Sequence, residues 1–459
     1  MAAIITDVLR KQLLQQVLDD IEDSASGNYY YIGIGRSEIW NDSDIAPTPK
    51  NTLQDIRNAK LSLQSIKSVL DYSFVSPRVD WSFGAIYSPY NDGVAGNPIN
   101  SYYVLTNENQ VYICLQQART AEGRASPSTV QPTGTLEEPF RTTDGYIWKF
   151  LFSIGALNAS KFLAGNYLPT RLITETDSAS PASDIEQEGI QDAAVAKQIV
   201  GFEITEGGTG YENIPDVTVI GNGIRARGVA TINGGAVTKI EVPDSDGEPV
   251  FGRDYDWANV VIEASPEGET NAKARPIFGP KNGFGADPRD DLRSTAVLLN
   301  VKPNGDEDGD FIITNDFRQV MLIKNPVVPG TDSAYEDLTG RAVRRLRLNT
   351  ISTAFTVGNT IKGSTSLAQA IIDDKDSASL WFHQTEETGF TQFSEGEQIT
   401  ETNGDGDGVL KPTGYDTDGV AYDEEDVTFI GGEVLYIDNR AAITRSAEQT
   451  EDIKVVIQL

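Results

Sequence analysis

From Pro77 to about residue 175 the chain alternates short runs of aromatic and β-branched residues with tight-turn residues. This punctuation constrains the fold more than any other feature of the sequence. The runs are VDWSFGAIY, SYYVLT, QVYICLQ and GYIWKFLFSI, and Asn-Asp-Gly, Gly-Asn-Pro and Pro-Thr-Gly separate them. Residues of this kind suit a pleated, half-buried surface, and the separators suit reversals of the chain. An antiparallel sheet is the expectation. GYIWKFLFSI is apolar on both faces apart from Lys149, which predicts a central core strand.

Upstream, residues 28–40 read NYYYIGIGRSEIW. The three tyrosines and the Ile/Gly alternation predict a strand. Gly33 and Gly35 thin it where another backbone or a bulky ring approaches. Arg36 and Glu38 lie two apart, so an extended chain puts them on one face, ready to pair with each other or with a partner. The stretch contains no phosphate loop and no metal set. It reads as a surface built to fit another surface.

Composition excludes several classes of function. The chain of 459 residues is long enough for two to four domains. With 42 Gly, 21 Pro and 39% apolar residues it suits a loop-rich β protein better than a helical bundle. Sixty-eight acidic residues against 37 basic ones leave a net charge of −31. A field of that sign repels phosphate backbones and anionic bilayers, so neither nucleic acid nor membrane is an expected partner. The single cysteine, Cys114, allows no intrachain disulfide, which fits folding in a reducing cytoplasm. No signal peptide is read at the N-terminus, and no run approaches the roughly 20 apolar residues of a membrane span.

Around the strands lie two predicted helices. Ile5, Val8, Leu9, Leu13, Val17 and Ile21 have helical spacing over residues 4–22, with Ser24-Ala25-Ser26-Gly27 as the stop. Residues 52–71 are read as a second helix with Leu53, Ile56, Leu63, Ile66 and Leu70 on one face, and Thr52 with Asp55 as its capping pair. Residues 177–196 turn small and acidic and read as a linker. Beyond them, residues 197–275 hold an imperfect repeat in which Gly208, Tyr211 and Val217 correspond to Gly252, Tyr255 and Val261. Each unit reads as strand, glycine turn, tyrosine plug and strand. A second repeat, Phe-x-x-Gly-x-x-Ile, occurs at Phe355, Gly358, Ile361 and at Phe393, Gly396, Ile399. STAVLLNV, DFIIT and QVMLIKNP are further strands, with an acidic loop at 304–310. VTFIGGEVLYIDNR and DIKVVIQL end the chain.

The expected fold is mainly β: an antiparallel, sandwich-like core domain with two N-terminal helices and two inserted small β modules. The core occupies residues 1–176, 276–350 and 414–459, and the modules occupy 177–275 and 351–413.

Chemistry is thinly supplied. A Ser-His-Asp or Cys-His device would have to use His383, the lone histidine, which lies in a module far in sequence from Cys114. One His and one Cys exclude the His- and Cys-rich zinc sites. Asn403-Gly-Asp405-Gly-Asp407-Gly408 begins like a calcium loop, but Lys411 and Gly414 stand at the ninth and twelfth positions. Asp306, Asp308 and Asp310 also alternate, and Phe311 breaks their pattern. Both read as acidic turns, a weak non-EF calcium site near Asp405 and Asp407 being the alternative. A pair of carboxylates for glycoside hydrolysis has many candidates and none that stands out. No catalytic residue, cofactor or metal is expected.

Four segments, in order, resemble the dimeric wedge subunit of T-even-like contractile-tailed phage baseplates. They are Ile34–Trp40 (IGRSEIW), Pro77–Trp81 (PRVDW), Thr143–Phe152 (TDGYIWKFLF) and Gly432–Arg440 (GEVLYIDNR), the last running on to Gln449-Thr450-Glu451-Asp452-Ile453. Asn315-Asp316-Phe317-Arg318-Gln319 is similar to phage structural proteins of the same kind. The two repeat-built segments lie outside the resemblance. It implies a non-enzymatic structural subunit of the virion, assembled in the host cytoplasm as a homodimer within each wedge, with other baseplate wedge proteins as partners. In those terms Arg36, Glu38, Trp40, Arg78, Asp80, Trp81 and Arg440 are candidate interface residues, and each charged pair has an ordinary intradomain salt bridge as its alternative. A tail-fibre or receptor-binding adhesin and a virion-associated glycan hydrolase are the competing functions.

Overall fold

The computed structural model describes every residue except 1–3, 24–26, 42, 96–100, 246–247, 267, 304–315, 413–421, 424, 429–430 and 444–450. Strands hold 39% of the chain and helices 11%, and the sheets are antiparallel, so the fold is mainly β. The chain forms two compact units. One comprises Met1–Leu14, Ser73–Leu298 and Val456–Leu459, and the other Gln15–Tyr72 and Leu299–Val455. Residues 177–275 fall within the first and 351–413 within the second.

In the first unit, the strands Tyr103–Leu105, Gln110–Gln116, Ile147–Ser153 and Phe140–Arg141 make one sheet in that order. Ile147–Ser153 is interior, as its two apolar faces predict, and Trp148, Phe150 and Leu151 have no exposed surface. Lys149 is buried with them and donates to the Glu137 carbonyl at 2.6 Å. VDWSFGAIY departs from expectation: apart from a bridge between Asp80 and Leu105 it is loop. Trp81 and Ala85 pack onto the cluster of Tyr87, Tyr146 and Trp148 as loop residues, a task that aromatic spacing does not distinguish from strand.

The stretch read as a linker contains the helix Ala182–Asp192, whose Gln187 and Ile190 are buried. Its apolar residues are few, so periodicity gives no signal. In the repeat of 197–275 the strands and tyrosine plugs are expressed as expected, but Gly208 turns at φ of +69° whereas Gly252 forms a bridge with Ile199. The corresponding strands Asp216–Gly221 and Ala258–Ile262 pair with each other, Thr218 opposite Val261. Both plugs are buried, and Tyr211 donates to the Glu263 carbonyl at 3.1 Å. Tyr255 lies against Gly221 and Gly223, where a Cβ would come within 2.8 Å and 2.4 Å of its ring.

In the second unit, Tyr30–Gly35 is a central strand between Leu63–Ser68 and Phe317–Lys324, and Glu433–Ile443 pairs with the far side of Phe317–Lys324. The second predicted helix is shorter than its pattern. It runs Leu53–Leu61, starts at Thr52 with the Thr52 hydroxyl accepting from Asp55 N at 3.1 Å, and then gives way to the strand Leu63–Ser68. Leu63 and Ile66 thus reach the core from a strand, while Leu70 and Leu53 are exposed. The first helix spans Asp7–Glu22, of which Asp7–Leu14 belong to the first unit; its buried residues are Leu14 and Leu18, and Ile5, Val8, Leu9 and Leu13 are exposed. Its proposed stop at Ser24–Ser26 lies outside the described residues, as do the DFIIT strand, the acidic loop 304–310 and Gly414. The Phe-x-x-Gly-x-x-Ile repeat builds a second small core: Phe355, Ile361, Phe393 and Ile399 are buried, Gly358 and Gly396 take φ of +84° and +74°, and Thr360–Gly363 pairs with Gln398–Glu401.

Candidate functional site

The strand Tyr30–Gly35 is fully buried, which explains its two glycines. A Cβ on Gly33 would lie 2.6 Å from the end of Leu63, and one on Gly35 2.5 Å from the Ser62 carbonyl. The second obstacle is backbone and cannot rotate away. Here the expected close approach is that of the neighbouring strand.

Arg36 then takes φ of +66°, unusual for a residue with a side chain, and turns the chain out of the sheet. Arg36 and Glu38 therefore do not share a face of an extended strand. They meet across this turn, with Arg36 Nη1 3.0 Å from a Glu38 oxygen. The guanidinium lies 4.1 Å over the Trp40 ring. Trp40 Nε1 donates at 2.8 Å to the carbonyl of Arg440, 400 positions away. Arg318, itself buried, donates to the Ser37 carbonyl at 2.7 Å and pairs with Asp44 at 2.9 Å. That bond to Arg318 holds the Asp44 carboxyl below its usual range. Arg440 pairs with Asp438 at 3.1 Å.

Beneath the turn lies an arrangement that sequence reasoning missed. His383, on the strand Ser379–His383, is held at Nδ1 by Asp373 at 2.7 Å, and its Nε2 lies 3.8 Å from Glu38. Ser37 Oγ donates to Asp373 at 2.8 Å and Gln64 Nε2 at 3.2 Å. Among the described residues His383 Nε2, Glu38 Oε2 and Arg36 Nε are enclosed without a hydrogen-bond partner. Burial works against a charged imidazole and Arg36 adds to that. Asp373 and Glu38 outweigh both, and the pKa rises to about 9. A nucleophilic triad needs its hydroxyl on the imidazole. Here the hydroxyl of Ser37 is committed to the carboxylate instead. No local pattern signals Asp373, because it meets His383 and Ser37 through strand pairing and through a contact 336 positions long.

In the first unit, Arg78 and Asp80 pair at 2.8 Å, and Arg78 also donates to the Ala164 carbonyl. Trp81 Nε1 donates to Ser128 Oγ at 3.2 Å. Asp144, of the TDGYIW segment, ties this loop down by accepting from Thr129 N at 2.7 Å and Val130 N at 2.9 Å. Burial pushes its carboxyl up, but the Thr142 hydroxyl and these two amides bring it below the usual range. Four of the five charged side chains expected at an interface thus pair with one another within the chain: Arg36 with Glu38, and Arg78 with Asp80. Arg440 has its own, and Trp40 and Trp81 are half-buried hydrogen-bond donors.

Among the described residues no three His, Cys, Asp or Glu side chains converge as a metal cluster. The glycine-rich turn after Asn403 wraps the Glu401 carboxylate, which accepts from Gly406 N at 2.9 Å and from Asn359 Nδ2. Asp407 accepts from Gln398 at 2.8 Å. Cys114 is fully buried, and burial pushes its thiol up.

No protein-family model matches this chain, and no curated protein matches it at a significant level.

Proposed function

We propose that the chain is a structural subunit of a phage tail baseplate wedge, a homodimer that joins neighbouring wedge proteins in the virion and carries out no catalysis. The observation that carries this reading is the meeting of the resembling segments in space. Trp40 of IGRSEIW donates to Arg440 of GEVLYIDNR, and Arg318 of the NDFRQ segment holds the Ser37 carbonyl between them. In the other unit Trp81 of PRVDW packs on the Tyr146–Trp148 cluster of TDGYIWKFLF. Within each unit, segments that are separately weak as motifs meet one another. A subunit of net charge −31 would meet more basic neighbours.

The test is gold-labelled antibody on intact virions of the phage that encodes the chain. Label on the plate at the tail tip is the expected result. Label on fibres favours an adhesin, and an absence of label on virions overturns the proposal. Clearing of cell-wall or capsule material by the purified chain, lost on changing one Asp or Glu, would favour the hydrolase.

A further inference from the structure

Within the first unit a cavity of about 470 Å³ opens between the end of the strand Gln110–Gln116 and the strands Ile199–Glu206 and Ala236–Glu241 of the repeat-built module. That volume suits a small-molecule site. Leu115, Phe202, Ile240 and Ile277 give it an apolar lining. Its two carboxylates are matched within the chain, while Arg119 and Arg293 bond backbone carbonyls. Lys239 lies 2.6 Å from Glu241, and Glu203 lies 2.6 Å from Arg275.

What is left over is hydrogen-bonding capacity of both signs. Gln117 is 7% exposed and lines the cavity; its Nε2 donates to the Tyr87 carbonyl at 2.8 Å, and its Oε1 has no partner among the described residues. That carbonyl is free to accept from a molecule in the cavity. Asn91 Oδ1 accepts from Gly93 N at 2.8 Å and from Arg275, which leaves its amide hydrogens for the cavity. Arg119, an exposed residue at the rim, spends one nitrogen on the Gly123 carbonyl at 2.9 Å and has the rest of its fork open to solvent or to a bound molecule. Ser88 also lines the cavity.

We propose that this cavity binds one or two rings of a neutral saccharide. Each sugar hydroxyl both donates and accepts, so it serves the Gln117 carbonyl and the Asn91 and Arg119 donors alike. The C–H face of a pyranose ring suits the apolar lining. The paired carboxylates offer nothing to a cation, and the acidity of the whole chain disfavours an anion. The assignment is independent of the wedge reading, since a structural subunit can carry such a site.

The test is saturation-transfer NMR of the full chain with the methyl glycosides of glucose, galactose, mannose and N-acetylglucosamine, each at millimolar concentration. At least one is expected to receive saturation at its ring protons. Gln117→Met removes the acceptor at similar volume and is expected to weaken that probe about tenfold or more. Gly201→Phe is a second variant that fills the cavity: a Cβ there meets only Ile277 Cδ1, at 3.6 Å, and its backbone is not left-handed. It is expected to abolish the transfer, with circular-dichroism melting reporting that each variant is folded. No transfer to any of the four glycosides, or equal transfer in both folded variants, overturns the proposal.

Discussion

Raising the pH through the His383 titration should loosen the second unit by a calculable amount. The imidazole has a folded pKa of about 9, against about 6.5 for an unperturbed histidine. A raised folded pKa means that the charged form is the one the fold favours. The stabilisation is therefore fully present below about pH 6.5 and is lost as pH rises through about 9. At about 1.4 kcal/mol per pH unit the gap corresponds to about 3 kcal/mol. The cause is local: Asp373 at 2.7 Å and Glu38 at 3.8 Å outweigh burial and Arg36. Because the chain has one histidine, its imidazole signals in a ¹H–¹³C NMR titration need no assignment. The midpoint is expected near 9. In urea unfolding, the stability advantage of the natural chain over His383→Gln should shrink by about 3 kcal/mol between about pH 6 and pH 10. Glu38→Gln should move the midpoint down and Asp373→Asn should move it further, since Asp373 is the nearer and larger influence. A midpoint at or below about 6.5, or a stability difference that does not change with pH, would refute the reasoning.

Three further outcomes follow from the geometry. Gly35→Ala places a Cβ 2.5 Å from the Ser62 carbonyl, so it should cost about 1–3 kcal/mol in urea unfolding, whereas Gly33→Ala should cost less because its obstacle is the movable end of Leu63. Trp40→Phe keeps a ring under Arg36 but loses the donor to the Arg440 carbonyl, and should cost about 1 kcal/mol by the same measurement. Asp291 is fully buried, and burial pushes its carboxyl well above the usual range, so its ionised form opposes folding at neutral pH. Asp291→Asn should accordingly raise the melting temperature near pH 7, and the gain should vanish in acid, where the natural carboxyl is itself neutral.

The alternation of strand-forming runs and turn residues was sufficient to determine a mainly β chain. Strand formation and chain reversal depend on residues a few positions apart, and those are adjacent in any reading of the sequence. The same locality made the two small repeats legible, because each plug, turn and strand recurs at fixed spacing: Tyr211 and Tyr255 are buried in corresponding positions, as are Phe355 and Phe393. Locality also set the limits. Leu63 and Ile66 fit a helical stripe, yet pairing with Tyr30–Gly35 made them a strand, because a ladder between distant segments overrides a periodicity that is only locally consistent. Ile5, Val8, Leu9 and Leu13 form an apolar stripe that the fold leaves exposed while it buries Leu14 and Leu18.

The candidate site divides in the same way. Arg36, Glu38 and Trp40 could be picked out because they are neighbours in the chain, and the pairing of Arg36 with Glu38 needs only a turn. That the turn is left-handed, and that it covers a histidine held by Asp373, could not be read, since 336 positions separate Ser37 from Asp373. The cavity beside Gln117 has walls from seven separate stretches of chain, none of them a motif. Sequence determines what each short segment prefers. Tertiary structure alone decides which distant polar groups share a buried space, and there low dielectric and lost hydration make their pairing count.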